Sequence, residues 1–211
     1  MEVKLFVFNP IQENTYVMYD ETGEAAIIDA GNFDETENDK LASFINGNKL
    51  SVKCIFNTHN HWDHIFGLDW AQKQYNPRIY CHADDLPWID NFSMICNSYG
   101  FGERSVPQPT NFYYNGQIVK FGNTTLKVLH TPGHSAGGVS LYCAESEMLF
   151  SGDTLFFNSI GRADLPGGDD RQLAESIKTQ LLTLPGNTTV LPGHGLRTSI
   201  EYERLNNPYL Q

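Results

Sequence analysis

The sequence predicts an α/β fold in which two mixed β-sheets lie face to face and helices cover their outer surfaces. Three observations lead to this prediction: many short apolar segments bounded by turn residues, two longer segments with helical spacing, and a hairpin pattern that occurs twice. The 211 residues show no low-complexity or linker-like stretch. We therefore expect one domain spanning residues 1–211, built from two similar halves at roughly 1–120 and 121–211.

The strand segments are short, rich in Val, Ile, Leu and aromatic residues, and end at turn residues. In chain order they are KLFVF, TYVMY, AAIIDA, VKCIFN, RIYCH, LKVLH, VSLYC, MLFSGD and TTVLPG. Two other segments predict helices. DETENDKLASFING has acidic residues in its first turns, and GGDDRQLAESIKTQLLTL has apolar residues at helical spacing before Pro185-Gly186.

The duplication rests on two hairpins. TYVMYDETGEAAIIDAG reaches Asp29 and VSLYCAESEMLFSGDTL reaches Asp153, each starting 14 residues before its aspartate. Each aspartate then leads through a loop and a helix to a strand that is followed by a histidine, His59 in the first half and His194 in the second. A chance likeness of two hairpins is the alternative, since the repeated pattern is short.

Composition excludes several classes of partner. The net charge is −11 and the pI about 4.9, with no run of Lys or Arg, so we expect no nucleic-acid partner. No apolar run approaches the roughly 18 residues of a membrane span, and no basic start precedes an apolar segment. The four cysteines lack CxxC spacing, and three lie in apolar segments, which predicts buried free thiols in a cytoplasmic protein.

The segment NTHNHWDHIFG places His59, His61, Asp63 and His64 within six positions after a predicted strand. Residues two apart on an extended backbone point to the same side, so the first two imidazoles are expected to converge. Buried imidazoles and carboxylates need a compensating partner, and a metal ion satisfies several at once. Four such side chains can begin two adjacent cation sites, each of which still lacks a ligand.

The missing ligands are expected at other strand ends, in turns that contain Gly or Pro. His134 in HTPGHSAGG, Asp153 in FSGDTLF and His194 in VLPGHGL all fit that description. Structural histidines and an ordinary loop aspartate are the alternative, which the cluster at 59–64 disfavours. His82 and His130 are predicted to be structural because no coordination shell requires them.

One aromatic segment remains open to two interpretations. Trp88, Phe92, Ile95 and Tyr99 lie near helical spacing. They form either a helix face packed on the core or an apolar wall above the metals.

The sequence resembles the metallo-β-lactamase superfamily through HxHxDH at His59–His64, followed by His134, Asp153 and His194 in that order. Two segments, GDTLFFNSIGRADLPGGD and LPGHGLRTSIEYERLNNPYL, are similar to those of its short glyoxalase II-like hydrolases. The resemblance implies an αββα sandwich. It also implies two divalent metal ions, with zinc first and iron or manganese as alternatives.

Carried onto these positions, the resemblance implies one metal on His59, His61 and His134. The second would be held by Asp63, His64 and His194, with Asp153 bridging the pair. Asp29 resembles the family's acid that supports the ligand loop, although a loop-capping role is the alternative.

The reaction implied is hydrolysis of small 2-hydroxyacyl thioesters such as S-lactoylglutathione, by a metal-bridging hydroxide with Asp63 and Asp153 as catalytic carboxylates. A thiolate leaves without a strong acid, and no further titratable group is placed to protonate a poorer leaving group. Between Arg78 and Lys120 only Arg104 is basic, so no clamp for glutathione carboxylates is visible.

The alternative function is a persulfide dioxygenase with one iron on His59, His134 and Asp153. Weaker alternatives are a phosphodiesterase or ribonuclease, a lactonase, and a non-enzymatic binding protein stabilised by metal. Within the resemblance, His61 favours hydrolysis over the oxygen-reducing diiron branch of the superfamily, and a bridging Asp153 disfavours β-lactam hydrolysis. The expected partner is a small-molecule substrate, and the sequence leaves the oligomeric state open.

Overall fold

The computed structural model describes residues 1–211 and contains two six-stranded sheets. The first sheet has the strand order β1-β2-β3-β4-β5-β6. Its strands are β1 (Glu2–Phe8), β2 (Glu13–Tyr19), β3 (Glu24–Ile28), β4 (Ser51–Phe56), β5 (Arg78–Cys81) and β6 (Asn111–Phe112). Antiparallel pairing joins β1, β2 and β3, whereas β3 to β6 pair in parallel. The sheet is therefore mixed, as predicted.

The second sheet has the order β14-β13-β10-β9-β8-β7, and a short ribbon of β11 and β12 lies apart from it. These strands are β7 (Ile118–Phe121), β8 (Thr124–His130), β9 (Val139–Cys143), β10 (Met148–Gly152), β11 (Leu155–Phe156), β12 (Ser159–Ile160), β13 (Thr189–Pro192) and β14 (Thr198–Ser199). Only β10 and β13 pair in parallel. Both sheets therefore contain an antiparallel hairpin, β2–β3 or β9–β10, whose second strand pairs in parallel with a strand reached through a helix.

Helices occupy the crossovers and the chain end. They are α1 (Glu35–Gly47), α2 (Trp62–Ile65), α3 (Leu68–Tyr75), α4 (Leu86–Asp90), α5 (Phe92–Ser98), α6 (Asp170–Ser176) and α7 (Ile200–Asn206). A 3₁₀ turn at Ala83–Asp85 precedes α4, and a π-helical turn at Ile177–Leu181 continues α6. None of these helices has the length and apolar character needed to cross a membrane.

The core is layered because alternate residues of the central strands face opposite sides. Ala25 and Ile27 of β3 belong to the cluster packed under α1 and α3, whereas Ala26 and Ile28 belong to the cluster between the sheets. A strand buried on both faces reads as a continuous apolar run, which is what the sequence shows here. A third cluster lies under α6 and includes Leu173. The predicted sandwich with outer helices is thus confirmed.

The cysteines follow their prediction: all are free and buried, Cys54, Cys81, Cys96 and Cys143.

Candidate metal centre

Five strands deliver the predicted site residues to one edge of the sandwich. Asp29 follows β3, the HxHxDH segment follows β4, and His134, Asp153 and His194 follow β8, β10 and β13. Each side chain therefore lies just beyond the carboxyl end of a strand, where loops can hold functional groups on a rigid frame. The structure brings together all eight predicted residues: Asp29, His59, His61, Asp63, His64, His134, Asp153 and His194.

The backbone around these ligands leaves little room for side chains. Gly152 has a left-handed φ of 50°, and a Cβ there would collide with the Thr58 side chain. A Cβ on Gly193 would collide with the Asp153 carboxylate and with the His64 ring. Both glycines therefore permit the close approach of the loops that carry the ligands.

The histidines of the first group are His59, His61 and His134. Each offers a ring nitrogen, and these three atoms all lie within 4.8 Å of one another. The rings meet edge to face, with centroids 4.5 to 4.8 Å apart. Metal–nitrogen distances are about 2.0–2.1 Å, so one ion can contact all three nitrogens after small adjustments.

The second group consists of Asp63, His64 and His194, whose ligand atoms also lie within 4.8 Å of one another. His194 Nε2 is 3.2 Å from Asp63 Oδ2, and His64 Nε2 is 3.8 Å from the same oxygen. A carboxylate and two imidazoles facing one point form a second potential cation site.

Asp153 lies between the two groups. Its Oδ2 is 3.5 Å from His134 Nε2 of the first group and 3.6 Å from His194 Nε2 of the second. Its Oδ1 is 3.5 Å from His64 Nε2. One carboxylate therefore reaches both groups, as a bridging ligand must.

Several buried polar atoms at this centre have no hydrogen-bond partner. They are the Nε2 atoms of His59, His61, His64 and His134 and Oδ1 of Asp153. A buried polar atom without a partner costs about 1–3 kcal/mol, so five of them in one place need a common explanation. Divalent metal ions supply it, and the residues present fit such ions.

Asp29 fixes the orientation of the ligand loop. Its carboxylate accepts hydrogen bonds from the Thr58 amide (2.7 Å), the Thr58 hydroxyl (2.7 Å) and His64 Nδ1 (2.9 Å). Because the Thr58 hydroxyl donates to Asp29, it accepts from His59 Nδ1, 3.1 Å away. Protons on these two Nδ1 atoms leave both Nε2 lone pairs free for a metal.

Backbone carbonyls fix the tautomer of two other histidines. His134 Nδ1 donates to the Arg162 carbonyl at 2.7 Å, and His194 Nδ1 donates to the Gln12 carbonyl at 3.2 Å. A carbonyl oxygen can only accept, so each ring carries a proton on Nδ1 and can offer Nε2 to a metal. The chain thus sets the tautomer of four histidines through contacts outside the centre.

Electrostatics at the centre also suit a cation. Burial lowers the pKa of His59, and it lowers that of His61 to about 3, so both rings are neutral ligands. Burial raises the pKa of Asp153, but the neighbouring histidines, His64 first, outweigh it and hold this carboxyl ionised. Burial opposes a charge on His64, yet the carboxylates of Asp153 and Asp63 raise its pKa overall. This excess of negative charge is what a divalent ion would neutralise.

Asp85 also supports the centre, although it was not predicted from the sequence. Its side chain is buried, and its Oδ2 accepts from the Asn60 amide (3.1 Å) and the Ser135 hydroxyl (2.9 Å), while Oδ1 accepts from the Gly137 amide (2.7 Å). It therefore ties the loop between His59 and His61 to the loop that carries His134. The available signal was an acidic residue just beyond the strand segment RIYCH, at the same sheet edge as the ligands.

We expect Asp85→Asn to weaken metal binding by about 10- to 100-fold, the range for residues that orient ligands through hydrogen bonds. The amide presents an NH₂ where the carboxylate accepts from several donors, so the two loops lose their common anchor. Competition with a chromogenic chelator measures the effect. Asp90→Asn, an exposed carboxylate on α4, is the matched control. Equal metal affinity in both variants would contradict the positioning role.

His82 and His130 lie outside the centre, stacked with ring centroids 4.3 Å apart and an angle of 9° between the planes. With Asp84 they form another group of potential ligand atoms. Parallel rings at this separation cannot both direct an in-plane lone pair at one ion, because an ion midway would lie about 2 Å out of each plane. The stacked arrangement therefore favours a structural role.

The residues of the aromatic segment have different locations, and each of the two interpretations holds for some of them. Phe92 is buried in the core, whereas Trp88, Ile95 and Tyr99 line a cavity of about 680 Å³. The centroid of the Trp88 ring lies 4.3 Å from that of the His61 ring, so the cavity adjoins the metal centre. We call it the side cavity, and its lining is Asp84, Pro87, Trp88, Asn91, Met94, Ile95, Ser98, Tyr99, Ala136, Leu165, Pro166 and Gly167.

Two curated relatives match almost the whole chain. "Probable metallo-hydrolase YqgX" of Bacillus subtilis is 35% identical, over 95% of this chain and 93% of that protein. "Hydroxyacylglutathione hydrolase GloC" of Haemophilus influenzae is 29% identical, over 100% of this chain and 98% of that protein.

Solved structures share the fold closely. The BLEG-1 B3 metallo-beta-lactamase has a TM-score of 0.91 and 36% identity, with both chains fully covered. TTHA1623 in a di-iron-bound form has a TM-score of 0.88 and 36% identity, over 98% of this chain and 100% of that one. ETHE1 from Myxococcus xanthus has a TM-score of 0.81 and 25% identity, over 99% of this chain and 84% of that one.

A family model described as "Metallo-beta-lactamase superfamily" matches residues 8–194, a range that contains every residue of the candidate centre. With the fold, the convergent ligands and these relatives, this match identifies the family. The chain belongs to the metallo-beta-lactamase superfamily.

Proposed function

We propose that the protein is a hydrolase of small 2-hydroxyacyl thioesters that depends on two divalent metal ions. The observation that carries this proposal is the pair of ligand groups joined by one carboxylate, with unpartnered Nε2 atoms aimed into the space between them. Zinc is the first expectation for this nitrogen and oxygen set, although the di-iron form of TTHA1623 keeps iron open for this chain.

In this proposal His59, His61 and His134 hold one ion, Asp63, His64 and His194 hold the other, and Asp153 bridges them. When bound, the ions would activate a water molecule and polarise the substrate carbonyl. The chain's own residues set that arrangement in advance. Asp29 keeps the His59 and His64 rings in the required tautomer, and Asp85 holds the ligand loops together.

The choice of a thioester follows from what surrounds the centre. The side cavity beside the centre is lined by a single charged residue, Asp84. Glu13 lies 3.9 Å from His64, but it is fully buried and accepts a hydrogen bond from Thr15, so it cannot reach a leaving group. A thiolate can leave without being protonated, whereas an alkoxide or an amine leaving group needs a proton from an acid. Similarity to the hydroxyacylglutathione hydrolase GloC supports the same choice.

S-lactoylglutathione is a suitable first test compound, but we expect a high KM for it. Arg104, the basic residue considered for a glutathione clamp, stacks 3.9 Å from the centroid of Phe33 and donates to the carbonyl of that residue at 3.1 Å. Arg162 is paired with Asp164 through two hydrogen bonds. Both guanidinium groups are already engaged.

A persulfide dioxygenase is the second candidate, supported by the similarity to ETHE1. One iron on His59, His134 and Asp153 would leave Asp63, His64 and His194 without a cation. The complete second group therefore favours two ions and hydrolysis.

Metal analysis separates these candidates. We expect the protein purified without added metal to carry two zinc ions per chain. A chelator should remove both the metal and thioester hydrolysis, and added zinc should restore both. One iron per chain together with oxygen uptake on glutathione persulfide would instead establish the dioxygenase, and a metal-free protein that stays folded and inactive after zinc addition would favour a binding protein.

A further inference from the structure

The side cavity has the dimensions of a ligand site. Its volume of about 680 Å³ lies within the range of about 300–1,000 Å³ typical of small-molecule pockets. Helices α4 and α5 form one wall and the loop before α6 forms the other. Most of its surface is apolar, contributed by Trp88, Met94, Ile95, Tyr99, Leu165 and Pro166.

The charge of the lining restricts what can bind there. No Lys or Arg lines the cavity, and the one charged group, Asp84, is negative with its side chain 61% exposed. A negatively charged substrate group would find no cation in the cavity and would be repelled by one carboxylate. Uncharged polar groups are limited to a few side chains, among them Asn91 and Ser98, which suit occasional hydrogen bonds from a mainly apolar ligand.

The cavity adjoins the candidate metal centre. Trp88 packs edge to face on His61, and Ala136 on the opposite side follows His134 by two residues. A substrate whose carbonyl lies at the centre can therefore extend one arm between these two residues into the cavity.

We propose that the side cavity binds the thiol arm of the substrate, and that this arm is uncharged and largely apolar rather than glutathione. The inference rests on the proposed function: because the acyl group proposed is small, the arm that fills a cavity of this size is the thiol. The apolar walls then supply binding energy in proportion to the apolar surface covered.

A homologous series tests this assignment. S-lactoyl thioesters of straight-chain thiols, from ethanethiol to hexanethiol, should show a KM that falls about fourfold for each added methylene. Ketone analogues with CH₂ in place of sulfur cannot be hydrolysed, and calorimetric titration of the metal-loaded protein with them should give the same dependence. A KM and a dissociation constant independent of chain length would overturn the assignment.

A charged substitution provides a second, independent test of the proposal. Met94 lines the cavity and is 64% exposed, so Met94→Lys should fold normally. We expect it to weaken the hexyl ketone by about tenfold or more and to lower the KM for S-lactoylglutathione. Ile118→Lys on β7, also exposed at 60% and outside the cavity, is the matched control and should change neither value. Identical behaviour of the two variants, both with normal metal content, would overturn the proposal.

The two proposals fail in different ways. Turnover of every lactoyl thioester with one common KM would support hydrolysis and reject the role of the cavity. Chain-length-dependent binding of the ketones without turnover of any thioester would support the cavity as the site of an apolar arm and reject the proposed function.

Discussion

Replacement of Asp153 by alanine is expected to lower hydrolase activity by more than about 100-fold, beyond the loss seen when a residue that merely orients a ligand is changed. The same variant should lose metal from both sites. The reason is geometric: its carboxylate lies 3.5 Å from His134 Nε2 in the first group and 3.6 Å from His194 Nε2 in the second. Elemental analysis of the purified variant, beside a thioester hydrolysis assay, measures both effects.

His82→Gln is the control for this experiment. His82 belongs to the stacked pair outside the centre, so its loss should leave the metal stoichiometry unchanged. A full metal complement in Asp153→Ala, or a missing ion in His82→Gln, would contradict the assignment. Asp153→Asn adds a further comparison, because it keeps the shape of the side chain but lacks the negative charge that two adjacent cations require.

The central strands could be predicted from the sequence because burial on both faces leaves a strong local pattern. Within AAIIDA and VKCIFN, the stretches AAII and CIF are continuous apolar runs, and both lie in strands of the first sheet. The two-residue strands β6, β11, β12 and β14 carry no such pattern, since their pairing depends on neighbours distant in sequence. The predicted second helix was present, although its last turn is π-helical from Ile177 onward.

The residues of the candidate centre also differ in how far the sequence indicates them. The three histidines within six positions form a recognisable motif, and the Gly-rich turns indicate where the other ligands lie. Asp85 was missed because its role exists only in three dimensions, where it bonds Asn60, 25 residues away, and Ser135, 50 residues away. Phe92 and Trp88 share one spacing pattern, yet one enters the core and the other borders the cavity. Periodicity assigns a face to the interior but does not distinguish a packed core from a cavity wall.

The leaving group of the substrate is expected to have the other large effect on the rate of hydrolysis. We expect kcat/KM for an S-lactoyl thioester to exceed that for the matching oxygen ester by about 10²- to 10⁴-fold, the contribution of a positioned general acid. The candidate centre offers no such acid. Asp63 and Asp153 have lowered pKa values, because His64 and the other neighbouring histidines outweigh the effect of burial, and they are therefore ionised.

A panel on fully metallated protein tests that expectation. It pairs lactoyl thioesters with their oxygen esters and adds a lactone, a phosphodiester and a β-lactam, the last because BLEG-1 is described as a B3 metallo-beta-lactamase. A thiol with a pKa near 8.5 departs as the thiolate at neutral pH, whereas an alkoxide needs a proton that no side chain here is placed to give. If an oxygen ester or the β-lactam is cleaved as fast as the thioester, the centre does contain a proton donor and the thioesterase assignment is wrong. If only thioesters turn over, the lack of a proton donor near the ligands accounts for the selectivity.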